Sequence, residues 1–207
     1  AGGWVSPAQI MYHEDGFFSF FEDGVRVIKG RSEKMSKSKK NVVDVSPILH
    51  DYGVDAARLF MISDSPPERD LEWTDAGIAG IHRYLSRVWR QFLILKTLEG
   101  GAQDKTLPYT QDELGFLRTL HKNIAAITHD LQTFALNRYA ARLRELTNAL
   151  VDSLETPGKV RYSLMKQAGE GLLILMSPVI PHLAEELWHQ LGYTTLLAIQ
   201  PWPTADP

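Results

Sequence analysis

The chain has no cysteine among its 207 residues, and this absence removes several classes of chemistry. Disulfides, thiolate nucleophiles and cysteine-type zinc sites are excluded together. No apolar run reaches the ~18 residues that a membrane-spanning helix needs. With 44% apolar and 23% charged residues, the composition is that of a soluble globular protein and not of a disordered one. We therefore predict a folded chain with no membrane contact and no metal site of its own.

Positive charge is concentrated in one short segment. Between Arg26 and Lys40 there are seven basic residues and a single acid, Glu33. This segment carries a net charge of +6, although the net charge of the whole chain is −3. A positive patch on an otherwise acidic body favours a polyanionic ligand, either phosphate or nucleic acid. A solvated basic loop is the alternative.

The first thirty residues predict short strands. Asp15-Gly16 and Asp23-Gly24 are hairpin-turn signals. They separate three segments rich in aromatic and β-branched residues, which are Ile10–His13, Phe17–Phe21 and Val25–Ile28. The basic segment 31–41 follows, and its small and polar residues without apolar periodicity predict a loop.

After the loop the pattern becomes helical. Ser46 before Pro47 predicts the N-cap of a short helix that Gly53 ends, and Asp55 can cap the next helix. Ser65-Pro66-Pro67 forbids helix and marks a linker.

Five longer helices are predicted after the linker from apolar residues spaced three and four apart. Because each carries a single apolar stripe, we expect them to pack as an antiparallel bundle. The predicted fold is therefore mainly α: a helical bundle preceded by a small strand-rich segment and the loop. The five helices are one from Thr74 to Gly100-Gly101; one after a capping box at Thr110–Glu113, with Leu117, Leu120, Ile124, Ile127 and Leu131 on its stripe; one with Leu136, Ala140, Leu143, Leu146, Leu150 and Leu154, broken at Thr156–Gly158; one over about 160–176; and one from Pro181 to Leu191, closed by Gly192.

Lys34-Met35-Ser36-Lys37-Ser38 is the most specific string in the chain. It offers two ammonium groups three residues apart, two hydroxyl groups and small residues that let a ligand approach the backbone. Such a loop can wrap a triphosphate, with the lysines offsetting charge on a leaving pyrophosphate. It is not a Walker A loop, because no Gly-x-x-x-x-Gly-Lys precedes it. A basic tract like a nuclear-localisation signal is the alternative.

The string and the segments after it resemble the class I aminoacyl-tRNA synthetases. Glu33–Asn41 looks like the KMSKS signature loop of that class. Valyl and isoleucyl members usually have glycine where this chain has Lys40-Asn41, and they lack a Pro-Pro-Glu string, so the leucyl-tRNA synthetases are the favoured subgroup. The segments that resemble the leucyl subgroup are Tyr52–Phe60, Ser63–Trp73 with its Pro-Pro-Glu-x-Asp-Leu-Glu-Trp pattern, Arg87–Arg90, Ser177–Trp188 and Trp202-Pro203.

The resemblance implies functional residues in the loop and a division of the chain. Lys37 matches the lysine that contacts ATP, Lys34 is its partner on the pyrophosphate, and Met35, Ser36 and Ser38 complete the ATP-binding loop. Residues 1–73 are expected to form the end of a catalytic domain with connecting, stem-contact helices, and residues 74–207 an anticodon-binding-type helical domain. The implied substrates are ATP with its bound Mg²⁺, leucine and tRNA(Leu). The implied protein is a cytoplasmic monomer.

Other residues have two interpretations each. Arg83, Arg87 and Arg90 fall on one face of the long helix, where they could contact tRNA phosphates or simply form the solvated face. Asp55 and Arg58 could contact tRNA, or could serve as a helix cap and an ion pair.

One signature of the class is missing. Class I synthetases carry a His-x-Gly-His string that completes the ATP site, and none occurs here. Because the chain starts at Ala1 without methionine, we expect it to be a piece of a longer protein and to be inactive alone. A freestanding, non-enzymatic RNA-binding or scaffold helical domain remains the alternative from another functional class.

Overall fold

In the computed structural model, residues 3–14, 16, 18–20, 23–31, 33–98 and 107–206 are described. Contacts divide the chain into two units, Ala1–Ile48 and Leu49–Pro207. The turn residue Asp15, the strand ends Phe17 and Phe21, and the helix stop at Gly100-Gly101 lie outside the described residues. The division into a catalytic part, residues 1–73, and an anticodon-binding-type part, residues 74–207, stays a prediction.

The first unit contains a three-stranded antiparallel sheet. Its strands are β1 (Ile10–Tyr12), β2 (Phe18–Phe20) and β3 (Arg26–Val27), in the order β1-β2-β3. All three lie within the segments predicted from their aromatic and β-branched residues. The turn before β3 is confirmed: Asp23 Oδ1 accepts a hydrogen bond from the Val25 amide at 3.0 Å, and Gly24 has a φ of 71°.

Two short helices follow the loop, and their starts correct two expectations. Helix α1 (Val45–Tyr52) begins one residue before Ser46, and the Asp44 carboxylate accepts the Ser46 amide at 3.0 Å. Asp44 takes the capping role because it lies before the first turn, whereas Ser46 lies inside it. Gly53 ends this helix with a φ of 82°, as predicted. Helix α2 (Val54–Ser63) starts directly after Gly53, so Asp55 lies within its first turn and does not cap it.

The five predicted longer helices are all present. Thr74 caps the first through the Gly77 amide, and the Thr110–Glu113 capping box opens the second. Leu117, Leu131, Leu136 and Leu154 are only half-buried, whereas Phe116 and Tyr139 are buried. The buried faces are broader than a single stripe because α4 packs on both α5 and α6, and α5 on four other helices. The helices are α3 (Asp75–Thr97), α4 (Gln111–Gln132), α5 (Leu136–Glu155), α6 (Tyr162–Met176) and α7 (Pro181–Gln190).

Contacts at the helix ends confirm an antiparallel arrangement. Glu113 in the first turn of α4 lies beside Arg161 at the start of α6, with 2.7 Å between Oε1 and Nε, so these two helices run in the same direction. Tyr139 in the first turn of α5 donates a 2.5 Å hydrogen bond to the Leu175 carbonyl at the end of α6. Helix α5 therefore runs opposite to both α4 and α6, and the core of the unit is built largely of leucine, isoleucine and valine side chains. No helix in the described ranges is both long and apolar enough to cross a membrane.

The linker before α3 is held by aromatic contact. The Trp73 ring meets the Phe60 ring edge-on, with 4.8 Å between centroids, and Trp73 Nε1 donates to Asp75 Oδ1 at 3.3 Å. A Cβ on Gly77 would lie 2.6 Å from the Phe60 ring, so glycine is needed there for α3 to approach. Helix α2 ends at Ser63, shortly before Pro66 and Pro67, and Trp73 fixes the linker to this helix through Phe60.

A buried ion pair joins the starts of α4 and α6. Glu113 completes its capping box by accepting the Thr110 amide at 2.8 Å, and it also binds Arg161 through Nε at 2.7 Å and Nη2 at 2.8 Å. Arg161 in turn donates to the carbonyls of Leu107 and Pro108 at 3.0 and 2.9 Å. The hydrogen bonds from Arg161 lower the pKa of Glu113 to about 2. One carboxylate therefore fixes two helix starts and the segment that leads into α4.

We predict that Glu113→Gln lowers the free energy of unfolding by about 3 kcal/mol at neutral pH, because it leaves Arg161 without its counter-charge. Glutamine is accepted in a capping box, so the change isolates the ion pair. The pKa of Glu113 is lowered in the folded chain, so the stabilisation is full above the ordinary pKa of 4.5 and is lost as pH falls towards 2. Urea unfolding followed by circular dichroism should show a smaller difference between wild type and variant at about pH 3. Glu155→Gln, at an exposed position, is the control; an equal difference at both pH values would contradict the prediction.

Candidate functional site

The basic loop folds back on itself between residues 33 and 41. Lys37–Lys39 form one turn of 3-10 helix, in which the Lys39 and Lys40 amides donate to the carbonyls of Ser36 and Lys37. Lys40 then takes a φ of 51°, the left-handed conformation that residues with a Cβ rarely adopt. This turn reverses the chain and brings Asn41 next to the start of the loop.

Side chains close the loop across its base. Asn41 Oδ1 accepts the Ser36 amide at 2.7 Å, and Asn41 Nδ2 donates to the Lys34 carbonyl at 3.3 Å. The hydroxyl groups of Ser36 and Ser38 lie 2.8 Å apart at the tip. The loop is therefore tied at residues 34 and 36, and its tip is formed by residues 36–38.

Charge within the loop is divided unequally. Glu33 binds the Lys39 ammonium group and lies 3.3 Å from Arg31 Nε, and these two contacts lower the pKa of Glu33. Lys34 and Lys37 are exposed, and no carboxylate of the described residues lies within 4.0 Å of either ammonium group. The single acid of the segment therefore neutralises Lys39 and leaves the two signature lysines available to an anion.

The structure thus brings the sequence-predicted residues into one short turn. Lys34, Met35, Lys37 and Ser38 are exposed, and Ser36 is half-buried. Two exposed ammonium groups beside two hydroxyl groups can bind phosphate oxygens. Among the described residues, no group of three or more histidine, aspartate or glutamate side chains could hold a metal ion.

Sequence reasoning missed three residues of this site. Asn41, Glu33 and Lys40 lie outside the predicted ATP-binding residues 34–38, although they provide the cross-link, the internal counter-ion and the reversal of the chain. A sequence signal existed for Asn41, because asparagine side chains commonly bond to nearby backbone in loops. No comparable signal identified which lysine Glu33 would bind.

Asp55 and Arg58 attach α2 to the turn between α6 and α7. Asp55 Oδ2 accepts the Leu183 amide at 2.7 Å, and Oδ1 lies 2.9 Å from His182 Nδ1. Arg58 donates to the carbonyls of Val179 and Pro178 at 2.9 and 3.0 Å. Asp55 therefore caps α7 instead of its own helix. Arg58 binds backbone carbonyls, and no acid in the described part of the chain pairs with it, so the ion-pair interpretation is wrong.

Of the three arginines of α3, Arg87 contacts a polar side chain of α5. Arg83 and Arg90 are exposed, and Arg87 Nη1 donates to Asn148 Oδ1 at 3.0 Å. Arg144 stacks over the Tyr84 ring at 4.5 Å and adds a fourth cation to this face. No carboxylate in the described ranges lies within 4.0 Å of these four groups. The face is basic, and its use for tRNA stays a prediction.

Comparison with known proteins finds similarity to tRNA synthetases in both parts of the chain. A family described as class I tRNA synthetases (I, L, M and V) matches residues 11–74. A second, described as the anticodon-binding domain of tRNA ligase, matches residues 113–207.

Two individual relatives are similar to the chain along its whole length, and both are leucine–tRNA ligases. The leucine–tRNA ligase of Rhodospirillum rubrum is 48% identical over 213 aligned residues, and that of Paramagnetospirillum magneticum is 45% identical over 207. Each alignment covers the whole of this chain. Along its whole length, this chain is therefore similar to one segment of these leucine–tRNA ligases. That segment is 24% of the length of either relative, so the chain spans about a quarter of these ligases.

A solved structure is similar to this chain in fold and in sequence. Agrobacterium radiobacter LeuRS, in a ternary complex with tRNA and LeuAMS, superposes with a TM-score of 0.72 and 29% sequence identity. The match covers 84% of this chain and 23% of that one. The mainly helical fold class is thereby confirmed, and the valyl and isoleucyl alternatives are not favoured.

We predict that Asp55→Ala lowers the free energy of unfolding by about 1–2 kcal/mol, because α7 loses its capping carboxylate. Amide hydrogen exchange should be faster at Leu183, whose N–H loses its acceptor. Asp55→Asn should lower the free energy of unfolding by less, since the carboxamide oxygen can still accept the hydrogen bond from the Leu183 amide. Glu68→Ala, an exposed acid in the linker, is the matched control. Unchanged exchange at Leu183 would show that Asp55 does not cap α7.

Proposed function

We propose that this chain supplies the ATP-binding loop and the tRNA-supporting helical body of a leucine–tRNA ligase. The parent reaction joins leucine and ATP to give leucyl-adenylate and pyrophosphate, and then transfers leucine to tRNA(Leu). The observation that carries the proposal is the KMSKS loop, in which Lys34 and Lys37 remain exposed while Glu33 is bound to Lys39. Identity of 48% along the whole chain to a leucine–tRNA ligase supports it.

The two lysines suit the charge change of adenylate formation. As the bond between the α- and β-phosphates breaks, negative charge grows on the leaving pyrophosphate. Lys37 would contact ATP, and Lys34 would stabilise the pyrophosphate, so that their contribution is greatest in the transition state. The Ser36 and Ser38 hydroxyls and the backbone at Met35 complete the contact. Mg²⁺ would enter bound to ATP, as part of the substrate.

The helical unit would carry the tRNA. Arg83, Arg87 and Arg90 offer a row of guanidinium groups for phosphates, and Arg144 extends it. We propose residues 74–207 as the anticodon-binding-type domain and residues 1–73 as the end of the catalytic domain. Leucine would bind to parts of the ligase beyond this segment, so the segment alone is expected to be inactive. The ligase is proposed to be a cytoplasmic monomer that does not bind membranes.

We predict that Lys37→Ala, in the full-length ligase, lowers kcat for leucine-dependent ATP–pyrophosphate exchange about 100-fold. The KM for leucine should stay within about twofold, because the lysine acts on phosphate in the transition state. Lys29→Ala, which removes an exposed lysine outside the loop, is the matched control. Equal losses in leucine binding and in kcat would argue against this role.

We predict that replacing Arg83, Arg87 and Arg90 together with glutamine raises the KM for tRNA(Leu) in aminoacylation about tenfold, with exchange unchanged. The salt dependence of tRNA binding should also become less steep, because fewer phosphates are neutralised. A variant with glutamine at Arg69, Arg118 and Lys122 has the same net charge and serves as the control. If both triple variants bind tRNA equally well, the arginine row is only a solvated face.

A further inference from the structure

We propose that Asn41 is the positioning residue of the ATP-binding loop, and that it acts through the backbone at Lys34 and Ser36. The inference rests on the proposed function of the loop. It concerns a residue outside the five-residue signature, and one that touches no substrate in this role.

The carboxamide of Asn41 uses both of its ends within the loop. Its oxygen accepts the Ser36 amide, five residues back, and its nitrogen donates to the Lys34 carbonyl, seven residues back. The two contacts span Met35 and hold the backbone on both sides of it. Among natural side chains of this length, only asparagine can accept and donate in this way. Aspartate would lose the donor and place a negative charge among the lysines.

The backbone brings Asn41 to this position at a conformational disadvantage. Lys40 has a φ of 51°, although it carries a Cβ. Such a conformation persists only where surrounding contacts require it, and it is often found next to functional sites. Here the reversal at Lys40 is what places the Asn41 carboxamide under Ser36.

Holding this backbone affects the lysines directly. Asn41 binds the carbonyl group of Lys34 itself. It also binds the amide of Ser36, and Lys37 begins the 3-10 turn directly after Ser36. With their backbone fixed, the two side chains lose less conformational freedom when they meet phosphate. None of these loop contacts is proposed to bind leucine. Loss of the carboxamide should therefore lower the rate of adenylate formation without weakening leucine binding.

The test uses the full-length leucine–tRNA ligase with Asn41→Ala. We expect kcat for leucine-dependent ATP–pyrophosphate exchange to fall about tenfold, with the KM for leucine unchanged within about twofold. We also expect faster tryptic cleavage after Lys34 and Lys37 in the ligand-free ligase. Val42→Ala changes the exposed neighbour of Asn41 and is the matched control.

Two outcomes overturn the inference. In one, Asn41→Ala keeps its kcat and its resistance to trypsin. In the other, it raises the KM for leucine as much as it lowers kcat, which indicates general damage. Lys37→Ala separates the proposed function of the loop from the proposed role of Asn41. If Lys37→Ala is inactive while Asn41→Ala is fully active, only the role of Asn41 fails. If Lys37→Ala is also fully active, the proposed function of the loop fails.

Discussion

Carboxylates bound at the starts of helices hold the helical unit together. A helix start leaves backbone amides without partners, and the local dipole favours a negative charge there. Glu113 serves its own helix and also binds Arg161 at the start of α6. Asp55 serves the start of α7 from α2. Each acid therefore joins two elements at a point where backbone groups need partners, and these contacts connect neighbouring helices as well as satisfying a helix start.

This use of acids gives a physical meaning to the uneven charge of the chain. In the helical unit, Glu113, Asp130 and Asp55 are buried and bound to amides, arginine or histidine. In the loop, the one acid binds Lys39, so net positive charge remains at the surface. The first arrangement supports the fold, and the second leaves cations for a ligand. Net charge alone distinguishes neither.

Much of the architecture followed from local sequence rules, because helix caps and apolar periodicity act over a few residues. Thr74, the Thr110–Glu113 capping box and Gly53 all lie where the rules predict. The rules were wrong where a residue serves a distant partner. Asp55 looked like the cap of the helix that contains it, yet its acceptor geometry is directed at Leu183, 128 positions away. No periodicity or capping rule encodes such a separation.

The sequence by itself predicted which segments are strands or helices and the resemblance of residues 33–41 to a signature loop, since these depend on short strings and local propensity. Only the tertiary structure decided how the loop is closed and which charges stay free. Lys34, Lys37, Lys39 and Lys40 are chemically alike in the sequence. They differ in the fold because Glu33 binds Lys39, and because the reversal at Lys40 turns Asn41 towards Ser36. The lysines are distinguished by the positions of the Glu33 carboxylate and the Asn41 carboxamide in the folded loop, and composition and residue spacing do not specify these positions.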